Sequence, residues 1–338
     1  MKILLCSVPF RPSVGGIETV SEILADRFQH AGHEVLVVTQ TPAADADHAP
    51  FQILRMPSAG AFWNAVRWAD VVVHNNISLR LAWPLLMLPR PWIITHQTWA
   101  PRTGAGWAAG RIKHFAARFA ANIAISEAIA RSLSAPATVV PNPYADDLFV
   151  TRPDAQRPSD LVFLGRLVSD KGLSVLLDAL ALLRKRGHEP TLTVVGGGAD
   201  EVALREQARD LQLDRQVRFA GVLKGTALVD LLNQHRIMIV PSVWEEPFGV
   251  VALEAIACGV VPIVTRSGGL PEAIGRCGLV VPKSDSAALA AAIERLNGDA
   301  SLLASLRAEA PQHLARHTRV QIVEAYLRVI QRASHKTQ

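Results

Sequence analysis

"EEPFGVVALEAIACG", Glu245 to Gly259, is the stretch whose reading decides the fold. From Pro247 to Val264 there are eighteen residues and one charge, Glu254. A helix apolar on nearly every side is a buried helix. Pro247 is tolerated in a first turn, so the spacing predicts a helix from near Phe248. Glu254 then lies well inside it, and Glu246 stands eight residues earlier at its mouth. An ionised carboxylate in apolar surroundings is costly unless donors satisfy it; ligand hydroxyls serve, and so does a neighbouring backbone or side chain. The run that follows, "VVPIVTR", is continuously apolar, as in a strand of a parallel sheet covered on both faces.

Outward from this unit the same grammar recurs. In the first half, strand 2–8 leads through "PFRPSVGG" to a helix near 17–31. "HEVLVVTQ", "ADVVVHNN" and "PWIITHQ" are further strands. A helix near 105–121, a short strand 122–125 and a helix 126–134 follow. Around "VVPNPYADDLFVTRPDAQRPSD" the periodicity collapses into Pro, Asp and Arg, as in an inter-domain linker. The second half restarts with "SDLVFLG", a helix over 173–186, "PTLTVVG", a helix over 199–211, "QVRFAGV", a helix over 226–234 and "RIMIVPS". The Glu254 helix comes next, then "VVPIVTR", "GLVVP" and two closing helices. Alternating strands and helices in both halves predict an α/β protein of two doubly wound, Rossmann-like parallel-sheet domains. The expected division is 1–150, 151–310, and a C-terminal helix in 311–338 packing back on the N-terminal domain. Ligands of such sheets bind beyond the carboxyl ends of the strands, which places the expected site in a cleft between the domains.

The chain has 338 residues, 49% hydrophobic and 19% charged, enough for two substantial cores and against wholesale disorder. A net charge of +5 is too small and dispersed to argue for a nucleic-acid partner. Three cysteines without CxxC spacing fit a reduced compartment and neither a disulfide framework nor a cysteine zinc site. "MKILLCSVPF" reads as a buried strand rather than a secretory leader, and Arg90 and the prolines at 84, 89 and 91 break "LAWPLLMLPRPWII" as a membrane span. The expected location is cytoplasmic, with peripheral contact at the inner face of the membrane.

Four strand-to-helix loops carry candidate chemistry. In "SVGGIE", Gly15 and Gly16 either form a tight turn or let the backbone approach an anion at a helix start. In "FLGRLVSDKG", Arg166 and Lys171 either are solvated surface charges or converge on a diphosphate at a helix N-terminus. "VVGGGADE" has Gly196 and Gly198 but Glu201 where a dinucleotide fingerprint needs its third glycine, so a plain turn is the reading. The fourth loop opens the Glu254 helix. Eight helical residues rise about 12 Å, more than the spacing between the paired carboxylates of glycoside hydrolases. Asp45-x-Asp47 lies in an Ala/Pro loop and reads as a polar loop, not a metal site. His96 sits at a strand's carboxyl end, where a histidine is either structural or catalytic. "WAAGRIKHFAARF" sets Trp107, Ile112, Phe115 and Phe119 among Arg111, Lys113, His114 and Arg118, the pattern of a domain helix or of one facing a membrane.

In order and spacing, "GGIE", "GRLVSDKG" and "EPFGVVALEAIACGVVPIVTRSGG" resemble the retaining nucleotide-sugar glycosyltransferases of family 4, which have the GT-B fold. The last stretch matches the family's E-x7-E signature, here Glu246 to Glu254. The resemblance implies that Glu254 holds the ribose hydroxyls and Glu246 the donor sugar. It implies that backbone N–H groups around Phe248, Gly249, Val250 and Val251 support the sugar and phosphate. Arg166 and Lys171 would neutralise the diphosphate without a metal, Gly15 and Gly16 would close on it from the other domain, and the backbone near Val222 and Leu223 would meet the base. His96 matches a family histidine near the reacting sugar, although "HQTW" departs from the usual acidic or small neighbour and implies a different acceptor side. "PNPYADD" departs from the usual Pro-Asn-Gly turn.

The implied reaction is transfer of a sugar from a UDP or GDP sugar to a carbohydrate or lipid-linked acceptor hydroxyl with retention, by an enzyme needing no cofactor. Polysaccharide, glycolipid or other glycoconjugate biosynthesis is the implied setting. The rival readings are a sugar-nucleotide epimerase of similar architecture, a nicotinamide dehydrogenase, for which no complete G-x-G-x-x-G follows a strand, and a non-catalytic nucleotide-sugar-binding protein.

Overall fold

The structure, a computed structural model, describes residues 1–13, 15–43, 49–99 and 107–336. The Asp45/Asp47 pair, and residues 105 and 106 of the helix expected near 105–121, lie outside the described residues. Contacts divide the chain into two compact units, Met1–Pro143 with Arg319–Gln338, and Tyr144–Thr318. The sequence boundary at 150 falls inside the second unit, beyond "PNPYADD".

In the first unit, seven parallel strands run β1 (Lys2–Cys6), β2 (Glu34–Thr39), β3 (Gln52–Arg55), β4 (Val71–Asn75), β5 (Trp92–His96), β6 (Ala121–Ala124) and β7 (Ala137–Val139). Their spatial order is β3-β2-β1-β4-β5-β6-β7, with Ile3 opposite Val35 on one side and Val71 on the other. Alternate residues enter opposite cores, as a two-residue period requires. Ile3, Leu5, Val35, Val37, Val71 and Val73 pack under α1 (Gly16–His30). Leu4, Cys6, Val38 and Val72 meet α2 (Ala59–Trp68) on the other face. α3 (Trp107–Ala116) and α4 (Glu127–Ser132) complete the connections. "ADVVVHNN" is buried throughout in β4, as its unbroken apolar run requires.

The second unit has six parallel strands, β8 (Ser159–Leu164), β9 (Leu192–Val195), β10 (Val217–Gly221), β11 (His235–Val240), β12 (Val261–Thr265) and β13 (Leu279–Val281), in the order β10-β9-β8-β11-β12-β13. The helices between and after them are α5 (Leu173–Lys185), α6 (Glu201–Asp210), α7 (Gly225–Asn233), α8 (Val250–Ala257), α9 (Leu270–Ile274), α10 (Ser286–Gly298), α11 (Ala300–Ala308) and α12 (Ala310–Leu314). One core joins α5 and α10 to the sheet through Leu176, Leu180, Ile237, Ile263 and Ile293.

Four helices, α10 to α13, follow β13 where the sequence suggested two, and the last, α13 (Arg319–Lys336), returns to the first unit. Ile322, Val323, Tyr326, Val329 and Ile330 recur at helical spacing and are buried in the core that holds Ile3 and Phe28. Each such side chain stabilises by roughly 1.5–3 kcal/mol when fully buried, so this single stripe fixes the helix there.

Both sheets are doubly wound. Strand order reverses between β1 and β4 in one and between β8 and β11 in the other, and ligands of such sheets bind at that reversal.

Candidate active site

Most of the residues the sequence singled out lie about the carboxyl ends of β8 to β12 in the second unit, and Gly15, Gly16 and His96 lie in the first. After β8 the chain passes Arg166 and enters a 3₁₀ turn, Ser169–Lys171, before α5. Gly172 makes that passage possible. It adopts φ +71°, and a Cβ there would lie 2.0 Å from the Pro241 carbonyl oxygen. Only glycine permits this approach of the β8 and β11 loops.

Across the strand reversal, Lys171 Nζ donates to Glu246 Oε1 at 2.5 Å, with the two side chains only 21% and 13% exposed. Ser242 Oγ donates to the same oxygen at 2.7 Å. The Glu246 backbone is held as firmly. Its N–H donates to Ser267 Oγ at 3.2 Å, and its carbonyl accepts from Gly269 N at 2.8 Å. Ser267 Oγ in turn donates to the Trp244 carbonyl. Oε2 of Glu246 makes no hydrogen bond to the described residues and is free for a ligand. The neighbouring Glu245 accepts from Gly268 N at 2.7 Å and pairs with Lys283, which holds its carboxyl below the usual range.

Helix α8 begins at Val250, two residues later than the sequence suggested, because Gly249 at φ 126° and ψ 58° is its N-cap. Glu246 therefore precedes the helix, and the 12 Å helical rise does not measure its distance from Glu254. No side chain caps α8, which leaves its first N–H groups, Val250 and Val251 among them, without intrahelical acceptors. Phe248 is buried and stacks on His317, with ring centroids 6.0 Å apart, so that position offers backbone rather than side chain.

Glu254 lies in the middle of α8 among Ala252, Leu253, Ala255 and Ile256, all buried. Its carboxyl meets no hydrogen-bond donor among the described residues. Part of the side chain stays accessible, so a ligand can reach it, yet burial pushes the carboxyl pKa up to about 8.

Arg166 is exposed and has no partner among the described residues. The expected convergence of Arg166 and Lys171 on one another's ligand takes a different form here, since Lys171 is engaged by Glu246. The "VVGGG" loop is more than the plain turn the sequence suggested. A Cβ at Gly196 would lie 1.8 Å from the Gly165 carbonyl, and one at Gly198 2.2 Å from that of Leu167. Gly165 N to Val195 O at 3.0 Å, Leu167 N to Gly197 O at 3.0 Å and Asp200 N to Leu167 O at 3.0 Å lace the two loops together. Gly196 N reaches Gly221 O at 2.8 Å, which brings exposed Val222 and half-buried Leu223 beside this lattice.

In the first unit, Gly15 caps α1 and Gly16 opens it at the sheet's reversal, with open space where a Gly16 Cβ would stand. The Glu18 carboxylate already sits over this helix start, 2.6 Å from a Cβ built on Gly15, and accepts from Ser13 Oγ at 3.1 Å. His96 is buried at the end of β5, and its Nε2 meets Asn122 Oδ1 at 2.9 Å. The Asn122 amide donates to the carbonyls of Ala117, Ala120 and Pro136. Its oxygen is thereby fixed as an acceptor, and His96 Nε2 must carry the proton. Burial holds the imidazole below its usual pKa, so it is neutral with Nδ1 unprotonated. Asn76, Thr98, Lys113 and His114 line a small cavity with it.

Sequence reasoning missed Ser242, Ser267, Gly268, Glu18 and Asn122. "SGG" after β12 was the available signal for two of them: a Cβ on Gly268, at φ +50°, would lie 2.0 Å from the Glu246 carbonyl.

Two family models match the chain, "Glycosyltransferase Family 4" over residues 14–147 and "Glycosyl transferases group 1" over 149–313. A glycogen synthase of Mycobacterium tuberculosis is 38% identical over 153 residues, 45% of this chain and 37% of that protein. A D-inositol 3-phosphate glycosyltransferase of Corynebacterium jeikeium is 39% identical over 163 residues, 46% of this chain and 39% of that one. The matched stretch thus spans less than half the length of each of these curated relatives. Among solved structures, HepE of Anabaena in complex with UDP and glucose superposes with a TM-score of 0.80 at 21% identity, covering 98% of this chain and 99% of that one. Sucrose-phosphate synthase of Thermosynechococcus elongatus does so with a TM-score of 0.80 at 21% identity, covering 98% of both chains. These two likenesses are of fold, the GT-B arrangement of two Rossmann-like sheets.

Proposed function

We propose that this chain, which belongs to glycosyltransferase family 4, moves a sugar from a nucleoside diphosphate sugar to an acceptor hydroxyl, retaining the anomeric configuration and using no metal ion. The observation that carries the reading is the pair of carboxylates about the α8 N-terminus, Glu246 held by Lys171 and Ser242 with one oxygen free, and Glu254 buried without a donor.

Each group has a task that its surroundings suit. Ribose hydroxyls supply the hydrogen bonds Glu254 lacks. Glu246 Oε2 accepts from a hydroxyl of the donor sugar. The uncapped N–H groups from Gly249 to Val251 and the exposed guanidinium of Arg166 bind the diphosphate. Lys171, beside Glu246, lies where leaving-group charge develops. Fixed cations and dipoles of this kind stabilise such charge directly, which is the basis for metal independence. Backbone at Val222 and Leu223 meets the base. Gly15 and Gly16 offer the anion-binding start of α1, with Glu18 swinging aside.

In the chemical step the acceptor oxygen bonds to the anomeric carbon as the bond from that carbon to the phosphate oxygen breaks, on the same face. The acceptor proton passes to the leaving phosphate. Neutral His96, with Nδ1 unprotonated, accepts a hydrogen bond from a sugar or acceptor hydroxyl. UDP is the first nucleotide to test, since the similar HepE structure contains it.

Thermal unfolding with UDP, GDP, ADP, CMP and NAD, each with chelator, tests the donor site. A ligand at a hundredfold over its Kd stabilises by about 2.7 kcal/mol, a shift of a few degrees. Stabilisation by NAD alone, or by no nucleoside diphosphate, refutes the assignment. Release of free epimerised sugar without acceptor would favour the epimerase instead, and the anomeric coupling of the product by NMR decides retention.

A further inference from the structure

The first unit carries a second surface, whose apolar groove lies at the amino ends of β5 and β6. Between α2 and β5 the chain forms two 3₁₀ turns, Leu79–Leu81 and Trp83–Leu86, and comes back to the amino end of β5. With α3 and the residues leading into β6, these turns border an open groove of ≈ 890 Å³. Trp83, Leu86, Trp92, Ile112, Phe115 and Phe119 supply its apolar walls, and Arg90 and Arg118 its rim.

Exposed large apolar side chains cluster on this face. Leu86 is 86% exposed, Met87 69%, Phe115 58% and Phe119 69%. The only buried residue of α3 is Gly110. A ten-residue helix is marginal by itself, and one that buries so little against its own domain leaves its apolar side unpartnered. Contiguous apolar exposure on this scale marks an interaction site.

The charge says what interacts. From Val71 to Ser126 the sequence has no Asp or Glu and six Arg or Lys, one more than the net charge of the entire chain. The protein's positive excess therefore resides in the segment that also holds its apolar projections. Arg111 lies over the Trp107 ring at 5.0 Å, and Arg118 has no partner among the described residues. Aromatic and aliphatic tips among unpaired arginines match an anionic interface with hydrocarbon beneath it. An acidic protein partner would also meet the charges, but Leu86, Met87, Phe115 and Phe119 project outward, 58–86% exposed, instead of lying recessed in the groove, which favours insertion among lipid chains.

We propose that the face built by Leu79–Pro91 and Trp107–Phe119 docks on an anionic phospholipid bilayer. α3 lies along the interface, and Leu86, Met87, Phe115 and Phe119 enter the acyl region. Side chains at the tips of a surface helix and turns reach only the outer acyl region, so attachment through this face is peripheral and reversible. This docking is independent of Arg166, Lys171, Glu246 and Glu254, which lie in the other unit.

Flotation of the full chain with vesicles of phosphatidylglycerol and phosphatidylcholine, against phosphatidylcholine alone, tests it. Binding is expected only with the anionic lipid and falls as salt rises. Arg111→Gln with Arg118→Gln weakens partitioning roughly 25-fold, at about fivefold per charge. Phe115→Glu with Phe119→Glu abolishes flotation while the UDP-induced thermal shift is unchanged, which shows the variant folded. Equal binding to both vesicles, or binding unaffected by either double variant, overturns the proposal. So does saturable binding of monomeric short-chain lipid without flotation, which would make the groove a single-lipid pocket. Concentration-dependent self-association lost in the Phe115/Phe119 double variant, again without flotation, would assign the face to a second copy.

Discussion

Glu254→Gln isolates the group on which the donor site turns. Burial raises this carboxyl from an ordinary value of 4.5 to about 8 in the ligand-free protein, so at pH 7 it is about nine-tenths protonated. Hydroxyl donors from a ribose favour the ionised form and pull the pKa down. Binding at pH 7 therefore releases up to about 0.9 proton, and Kd tightens by up to about tenfold per pH unit between pH 6 and 8, then levels. Calorimetry of UDP binding in two buffers of different ionisation enthalpy counts the protons. The nucleotide phosphate titrates in the same range, but equally in wild type and in Glu254→Gln, so the difference between the two proteins is the readout. Glutamine keeps the shape and loses both the proton release and the pH dependence. Stability gives a second reading of opposite sense. A folded pKa above the unfolded one means the folded state binds more protons between pH 4.5 and 8, so stability falls as pH rises through that window. The loss is bounded at roughly 5 kcal/mol, and Glu254→Gln should be flatter and at pH 8 more stable than wild type in urea titrations. If wild type releases no more protons than Glu254→Gln, and the two stability profiles run parallel, Glu254 is not a desolvated, ligand-seeking carboxyl.

Lys171→Ala and Glu246→Ala should each lower kcat/KM by about 10²–10³-fold with the far-UV spectrum intact; near-normal turnover in either removes that residue from the site. Gly268→Ala places a methyl group against the Glu246 carbonyl at positive φ, so denaturant midpoints should report a loss of about 1–3 kcal/mol together with reduced transfer, and an unchanged midpoint contradicts the geometry. Nitrogen-15 shifts of labelled His96 at neutral pH should show the Nε2-protonated tautomer in wild type and a tautomer mixture in Asn122→Ala; a mixture in wild type would mean that Asn122 does not set the proton's position.

The two-sheet fold was legible because the buried strands of both units are unbroken apolar runs bounded by Gly, Pro and Asn, a pattern that parallel burial on both faces imposes. What escaped notice, besides α2 with its Ser58 cap, were elements whose stability comes from neighbours. β3 and β7 are edge strands of four and three residues, too short to show a period, and α9, five residues after "SGG", is fixed by its contacts instead of a stripe. "LAWPLLMLPRP" gave no periodicity because its 3₁₀ turns, of three and four residues, are too short to repeat a three-residue period.

The same distinction runs through the site. Glu246 and Glu254 were visible because a carboxylate in an apolar segment violates local expectation, and such violations are expected at functional positions. Ser242, Ser267 and the glycines violate nothing locally. Their importance comes from contacts across the sheet: Gly172 against Pro241, Gly196 against Gly165, Gly268 against Glu246, each less than 2.1 Å from where a Cβ would stand. Four strand-to-helix loops are thereby packed backbone on backbone, so the carboxylate and ammonium of Glu246 and Lys171, 75 residues apart in sequence, meet at 2.5 Å. Positioning of this kind is paid in glycine rather than in conspicuous side chains. A single sequence can therefore show which groups are unusual, while the loops that aim them become visible only when the strands are set side by side.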